Sequence, residues 1–185
     1  LLETIDNGIL ASYRFSEFQT VVGVGIPGSY GDLLKRILQT NSSLQGIFFD
    51  LMPGLKVAEK HLASVIDRCT LIEGDVLRSL PPDGDVYILK NLIHDWDDQI
   101  ASQILNNCRV ALHPQAKLLV VEMIIPPGNL PALGKILDIE ALLMTTGGYE
   151  RTEAQYRSLF AAAGLTVTNV IPTGSPFSII EAVLS

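Results

Sequence analysis

Four ionisable side chains stand close together in the sequence, at His94, Asp95, Asp97 and Asp98. An imidazole titrates near neutral pH and can take the proton of a hydroxyl group, so His94 is a candidate general base. The alternative interpretation is that Asp97 or Asp98 caps the following helix and that His94 is an ordinary loop histidine. The position of His94 favours the catalytic interpretation, because it follows one predicted strand and is expected near Glu122 at the end of the next.

Polar side chains also stand where other apolar, strand-like runs stop. These positions are Asp50, Asp75, Lys90 and Glu122, and a glycine-rich loop from Gly25 to Gly31 follows the first run. Ligands of open parallel sheets bind at the carboxyl ends of the strands. One polar strand end is equally well explained by the start of a loop, but the whole succession favours a ligand site at one edge of the sheet.

The glycine-rich loop reads Gly25-Ile26-Pro27-Gly28-Ser29-Tyr30-Gly31. Glycines between a strand and a helix let the backbone approach a nucleotide-like ligand, although they are also common in turns and Pro27 lacks an N–H donor. Asp50, at the end of the second predicted strand, is suited to accept hydrogen bonds from ribose hydroxyls. Together these features predict an adenosine-bearing cofactor, and they leave open whether it is a nicotinamide or a sulfonium compound.

The elements that would position these groups follow from alternating apolar runs and amphipathic segments. Continuous β-branched runs predict strands buried on both faces, at Thr20–Gly25, Gly46–Asp50, Cys69–Asp75, Asp85–Lys90 and Lys117–Glu122. Stripes at helical spacing separate them: Leu33, Leu34, Ile37 and Leu38, then Ala58, Leu62 and Val65, then Ile100, Ile104, Leu105, Cys108 and Leu112. This alternation predicts a parallel α/β sheet built from crossover units.

The carboxy-terminal part departs from this alternation. We predict helices at 135–144 and 153–163, a turn at Gly147–Gly148, and strands Leu165–Pro172 and Phe177–Val183. A capping box, Thr152-Glu153-Ala154-Gln155, marks the start of the second helix. The two final strands could pair as an antiparallel ribbon.

Length and charge limit the possible functions. The 185 residues suit one domain, and a net charge of -7 without a basic cluster excludes nucleic-acid binding and disfavours anionic membranes. The apolar runs are far shorter than the roughly 20 residues of a membrane helix.

Cys69 and Cys108 lack the spacing of a disulfide framework or a zinc site, so we expect a cytoplasmic protein. The chain begins at Leu1 rather than Met and is expected to be a fragment.

These segments resemble the S-adenosylmethionine-dependent O-methyltransferases of the caffeic-acid and bacterial polyketide type. The matching pieces are Tyr13-Arg14-Phe15-Ser16, Val21-Val22-Gly23-Val24-Gly25, Phe48-Phe49-Asp50-Leu51, Gly74-Asp75, Leu89-Lys90, His94-Asp95-Trp96-Asp97-Asp98, Val120-Val121-Glu122, Gly147-Gly148-Tyr149-Glu150-Arg151-Thr152-Glu153-Ala154 and Ile179-Ile180-Glu181-Ala182. The resemblance covers nearly the whole chain in order. The His-Asp-Trp-Asp-Asp and Glu-Arg-Thr-Glu-Ala pieces are the most specific.

The resemblance implies a Rossmann-like class I methyltransferase fold with a mostly parallel seven-stranded sheet, an antiparallel carboxy-terminal strand and helices on both faces. Residues 19–185 would form the catalytic domain that binds S-adenosylmethionine. Residues 1–18 would be the remaining linker helix of an amino-terminal dimerisation region, so the full-length protein is expected to be a homodimer. The implied substrate is a small aromatic or polyketide-like hydroxyl compound.

The resemblance also implies roles for individual residues. The cofactor contacts would be Gly25 under the methionine part, Asp50 with Leu51 at the ribose, Asp75 with Val76 at the adenine, and Lys90. His94 would be the general base, and Glu122 and Glu150 would flank and orient its imidazole. Asp95 would contact the substrate, and no metal ion is implied.

The chain departs from the family pattern on the cofactor side. Gly23 stands where the family has an acid between two valines, and Val76 stands where an aromatic residue or Met is usual. The glycine-rich loop is longer than the family's, and its Pro27 and Tyr30 would narrow the cleft. A second hypothesis is therefore a degenerate member that acts as a binding module or in cofactor-assisted chemistry without methyl transfer. A third, a nicotinamide-dependent dehydrogenase, fits the His-Asp-Trp segment and the antiparallel end poorly.

Overall fold

The protein is built around one β-sheet. The computed structural model describes residues 2–26, 28–128, 131–145 and 147–185, so Pro27 of the glycine-rich loop lies outside the described residues. The strands are β1 (Thr20–Val24), β2 (Gln45–Asp50), β3 (Cys69–Glu73), β4 (Val86–Lys90), β5 (Lys117–Met123), β6 (Leu165–Pro172) and β7 (Phe177–Leu184). They lie in the order β3-β2-β1-β4-β5-β7-β6. Strands β1 to β5 are parallel, and β7 is antiparallel to both β5 and β6. The predicted sheet is confirmed.

Helices cover both faces of this sheet. They are α1 (Leu2–Ser12), α2 (Asp32–Thr40), α3 (Met52–His61), α4 (Asp98–Ala111), α5 (Leu133–Met144) and α6 (Glu153–Ala162). Neighbouring strand residues belong to different buried clusters, Val21 to one and Val22 to the other, as expected when side chains alternate between two faces. The cluster on the first face takes its helical residues from α1, α2 and α3, and the other takes them from α4 and α6. No helix in the described ranges is long and apolar enough to cross a membrane.

The order of the strands reverses at β1, which pairs with β2 on one side and with β4 on the other. A crevice forms at such a point because the crossover helices leave towards opposite faces. Gly25 follows β1 directly and Lys90 is the last residue of β4. The fold therefore places the glycine-rich loop and the end of β4 at the same edge.

Several predicted boundaries are wrong, and three of them have a clear structural description. Strand β3 ends at Glu73 rather than Asp75, because Asp75 turns the chain and its Oδ1 accepts from the backbone N–H of Leu77 (2.9 Å). Glu122 is not terminal, since β5 continues to Met123. The stripe that ends at Val65 is interrupted, because α3 stops at His61 and residues 63–68 form a 3₁₀-helix.

The carboxy-terminal elements follow the prediction closely. The Thr152 side chain and Gln155 form the capping box at the start of α6, and Gly164 after the helix has a left-handed φ of 73°. Strands β6 and β7 pair antiparallel with a register shift between Val167 and Asn169.

Candidate active site

His94 is held by Glu122 from the neighbouring strand. Glu122 is fully buried in β5, and its Oε1 accepts hydrogen bonds from the backbone N–H groups of Leu92 (3.0 Å) and Ile93 (2.8 Å). Its Oε2 lies 2.7 Å from His94 Nδ1. The other imidazole nitrogen, Nε2, lies 3.3 Å from Asp95 Oδ1. Because Glu122 holds Nδ1–H, a neutral His94 presents Nε2 as a proton acceptor.

The surroundings of His94 also change its basicity. Burial alone lowers the pKa of this imidazole, but the hydrogen bond and charge of Glu122, with the charges of Glu150 and Asp95, raise it to about 9. The carboxylates therefore stabilise the protonated form that would result from proton transfer. Asp97 does cap α4, as the alternative interpretation expects, because its side chain accepts from the N–H of Ile100. His94 is in addition held by the buried Glu122.

Glu150 completes this group from the segment between α5 and α6. One ligand-capable atom each of His94, Glu122 and Glu150 lie within 4.8 Å of one another. Glu150 is 6% exposed, and its Oε2 has no hydrogen-bond partner among the described residues. Burial raises the pKa of this carboxyl to about 7. The three groups could in principle ligate a metal ion, but both oxygens of Glu122 already accept hydrogen bonds.

Arg151 joins the segment of Glu150 to that of His94. Its guanidinium is fully buried and donates to Asp98 Oδ1 (2.8 and 3.0 Å), to the carbonyl of Trp96 (2.8 Å) and to that of Ile93 (3.2 Å). Sequence reasoning missed this residue, although it lies in the Glu-Arg-Thr-Glu-Ala motif. A buried arginine surrounded by carbonyls fixes the relative positions of two loops.

Most of the predicted cofactor residues line one cavity of about 470 Å³, which we call the glycine-loop cavity. The predicted residues in its wall are Gly25, Asp50, Leu51, Asp75, Val76 and Asp95, joined by Tyr30, Phe49, Gly54 and Trp96, which were not predicted as contacts. A Cβ at Gly25 or Gly54 would overlap the Asp50 carboxylate, so glycine at these positions lets the backbone approach this side chain closely. Burial raises the pKa of Asp50.

Lys90 does not line the glycine-loop cavity. Its side chain is buried, and Nζ lies 2.5 Å from Asp6 Oδ1, a residue of α1 that is also buried. Lys90 and Gly23 both line a separate cavity of only about 30 Å³. A Cβ at Gly23 would meet Leu34 at an ordinary 3.4 Å, so the backbone leaves room for a side chain that the sequence lacks.

A second large cavity of about 320 Å³ adjoins the imidazole, and we call it the histidine cavity. Its wall includes Asn91, His94, Asp95, Met123, Glu140, Glu150 and Phe177. Asp95 lines both this cavity and the glycine-loop cavity. Two cavities that share Asp95 in their walls are suited to a reaction between two bound molecules.

The family of this chain follows from comparison with known proteins. Residues 3–166 match a family model described as an O-methyltransferase domain. The chain belongs to this O-methyltransferase family. Membership confirms the resemblance, and it argues against the nicotinamide-dependent dehydrogenase.

Named relatives carry out methyl transfer. The chain is 43% identical over 180 residues to phenazine O-methyltransferase PhzM of Lysobacter antibioticus, covering 96% of this chain and 52% of the relative. It is 38% identical to O-demethylpuromycin-O-methyltransferase of Streptomyces alboniger, covering 92% of this chain and 46% of that protein. The chain thus spans about half the length of the relatives it matches.

Solved structures show the same fold. LaPhzM superposes with a TM-score of 0.93 at 42% identity, covering 99% of this chain and 55% of the other. NcsB1, an O-methyltransferase from neocarzinostatin biosynthesis solved with S-adenosylmethionine and 2-hydroxy-5-methyl naphthoic acid, superposes with a TM-score of 0.86 at 31% identity and covers 96% and 52% of the two chains. The class I methyltransferase fold is therefore confirmed.

Proposed function

We propose that this protein transfers the methyl group of S-adenosylmethionine to a hydroxyl of a small aromatic or polyketide-like molecule, with His94 as the general base. The observation that carries the proposal is the His94–Glu122 pair, which stands in the wall of the histidine cavity beside the glycine-loop cavity. Family membership supports methyl transfer as the reaction. Relatives named for phenazine and demethylpuromycin substrates support the class of acceptor.

The glycine-loop cavity fits the proposed cofactor. Gly25 and Gly54 leave the Asp50 carboxylate close to the backbone at the cavity wall, where a carboxylate can accept from ribose hydroxyls. Asp75 and Val76 line the same cavity and would hold the adenine. When bound, S-adenosylmethionine supplies a methyl group on a positively charged sulfonium centre. The negative carboxylates at this edge of the sheet are complementary to the positive charge of the sulfonium.

His94 would act on the acceptor hydroxyl. Because Glu122 engages Nδ1, the hydroxyl proton passes to Nε2 while the oxygen forms its bond to the methyl carbon and the carbon–sulfur bond breaks. The products are a methyl ether, S-adenosylhomocysteine and protonated His94, whose charge Glu122 and Glu150 stabilise. Asp95, which lines both cavities, would contact the substrate. Aligning the two reactants can be worth about 7–11 kcal/mol, and a general base adds about 10²–10⁴-fold.

The first test replaces the imidazole in the full-length protein. We expect His94→Gln to lower kcat by about 10²–10⁴-fold, while calorimetric titration shows unchanged affinity for S-adenosylmethionine. His113→Gln is the matched control, because His113 also contacts a carboxylate, Asp85 at 3.3 Å, but lines neither cavity. Full activity of His94→Gln would remove the assigned base.

A degenerate member that binds without transferring methyl is the second candidate. Its support is Gly23, which offers no carboxylate, and Lys90, which is paired with Asp6 rather than lining the glycine-loop cavity. Calorimetry and product analysis on the full-length protein separate the two candidates. Tight binding of S-adenosylmethionine with turnover to S-adenosylhomocysteine would count against the degenerate member.

We also propose the division implied by the resemblance, with residues 19–185 as the catalytic domain, residues 1–18 as the linker to a dimerisation region, and a homodimer as the full-length assembly. The length of the relatives supports it. In the structure, Ile5 and Ile9 of α1 belong to the same buried cluster as the helices α2 and α3. Helix α1 therefore packs against the proposed catalytic domain.

A further inference from the structure

Two residues that line the histidine cavity each carry a buried hydrogen-bond acceptor without a partner among the described residues. Among the described residues, the buried side-chain atoms without a partner are Asn91 Oδ1, Glu150 Oε2 and the hydroxyl of Tyr156. The first two belong to residues that line the histidine cavity, whereas Tyr156 belongs to the core cluster around α6. Buried polar atoms of native proteins are normally satisfied, so these two acceptors are available to hydrogen-bond donors of a bound molecule.

The backbone holds Asn91 in place. Its φ is 54°, a left-handed conformation that asparagine tolerates better than most residues. Its N–H donates to the carbonyl of Val121 in β5 at 3.0 Å. The backbone of Asn91 is therefore fixed directly after β4, and the residue lines the histidine cavity together with His94 and Glu150.

Carboxylates outnumber the one imidazole, His94, in the wall of this cavity. Asp95, Glu140 and Glu150 are in the wall, and neither lysine nor arginine is among the described residues that line it. Burial raises the pKa of Glu150 more than the charges of His94 and Arg151 lower it, and a donor bound at Oε2 would lower it further. An acceptor molecule with a carboxylate would add a further negative charge, and the charge of His94 is already paired with Glu122 (2.7 Å) and Asp95 (3.3 Å).

We propose that the acceptor of this protein carries a second neutral or cationic hydrogen-bond donor, a hydroxyl or amine, beside the hydroxyl that is methylated, and no carboxylate. Asn91 is then a specificity-determining residue whose Oδ1 accepts from this second donor, with Glu150 Oε2 as the other available acceptor. This inference rests on the proposed methyl transfer at His94. It distinguishes the chain from NcsB1, which was solved with a naphthoic acid.

The test uses three acceptors that share one ring system: 2,3-dihydroxynaphthalene, 2-naphthol and 3-hydroxy-2-naphthoate. With full-length protein and S-adenosylmethionine, we expect kcat/KM to be about tenfold higher for the dihydroxy compound than for 2-naphthol, and lowest for the carboxylate. Asn91→Gly preserves the left-handed backbone and removes the acceptor, and should abolish the preference for the dihydroxy compound while changing 2-naphthol less than about twofold. Asn91→Asp is the matched control, because it retains an oxygen at this position and should keep the preference.

Calorimetric binding of the same compounds in the presence of S-adenosylhomocysteine separates this inference from the proposed function. If the dihydroxy compound binds best and Asn91→Gly weakens it, the specificity inference stands even where methyl transfer is absent. If methyl transfer occurs but all three compounds react equally, or Asn91→Gly affects 2-naphthol as strongly, the inference is overturned while the proposed function remains. Absence of binding by all three compounds also overturns it.

Discussion

At the scale of single residues, both carboxylate oxygens of Glu122 are engaged inside the protein. Two backbone N–H groups fix Oε1, and His94 occupies Oε2. A carboxylate held in this way cannot turn to follow the imidazole, so it determines the orientation of His94 before any substrate binds. The arrangement also predicts how the enzyme responds to pH.

We expect Glu122→Gln to move the rising limb of the pH–kcat/KM profile to lower pH. In the proposed mechanism the neutral imidazole is the base, and Glu122 contributes to the raised pKa of about 9. Removing its charge should bring the pKa of His94 back towards its ordinary value of 6.5, while the maximal rate falls because the tautomer is no longer fixed. Glu153→Gln is the control at an exposed position, and an unchanged midpoint in Glu122→Gln would contradict the pairing.

The same pair links stability to pH. A histidine whose pKa is raised in the folded state contributes stability that is fully present below about pH 6.5 and is lost as the pH rises through about 9. Urea unfolding of the Glu122→Gln variant should show a smaller loss over this interval than the wild type.

At the scale of elements, helix α1 is closely packed against the end of β6. A Cβ at Gly8 would overlap the carbonyl oxygen of Thr173, the residue that follows β6. Asp6 of the same helix pairs with Lys90 of β4. The position of α1 is therefore determined by close backbone approach and a buried ion pair.

We expect Gly8→Ala to destabilise the protein despite the better helix propensity of alanine. The added methyl group meets backbone, which cannot move aside as a side chain can, and overpacking of this kind costs about 1–3 kcal/mol. Gly134→Ala in α5 is a matched control, because its nearest neighbour is the flexible Met123 side chain at 3.3 Å. Thermal unfolding should show a lower Tm only for Gly8→Ala, and equal Tm values would contradict the close approach.

At the scale of the whole molecule, Glu181 connects distant parts of the chain. Its carboxylate accepts from Tyr13 (2.6 Å), Lys117 (2.9 Å), Thr168 (2.8 Å) and Asn169 (2.7 Å). Burial alone raises the pKa of Glu181, but these hydrogen bonds outweigh burial and lower it to about 2. The network therefore joins the segment after α1 to β5, β6 and β7.

We expect this network to make stability sensitive to acid. A carboxyl whose pKa is depressed in the folded state contributes stability that is present above about pH 4.5 and is lost as the pH falls towards about 2. Glu181→Gln should lower the free energy of unfolding at pH 7 by about 1.5–3 kcal/mol, and the difference from the wild type should shrink at low pH. Urea unfolding measures both values, with the exposed Glu17→Gln as control, and a difference that does not change with pH would contradict this assignment.

The sequence by itself determined the alternation of strands and helices, because hydrophobic periodicity and the Thr152 capping box are local signals. It also placed Gly25, Asp50 and Asp75 at one edge, since parallel strands end together. The exact residue at which each strand ends was less well predicted. Asp75 lies beyond β3 because its own side chain forms the turn.

Only the tertiary structure decided which of these residues meet. Lys90 ends its strand beside the glycine-rich loop, yet its charge is held by Asp6, a residue far away in the chain that no local pattern could have indicated. Arg151 and Asn91 were likewise missed, because their importance comes from backbone carbonyls, unpaired acceptors and a cavity that exist only once the strands are assembled. Local periodicity determines elements, whereas ion pairs, cavities and unsatisfied polar atoms depend on contacts between residues distant in sequence.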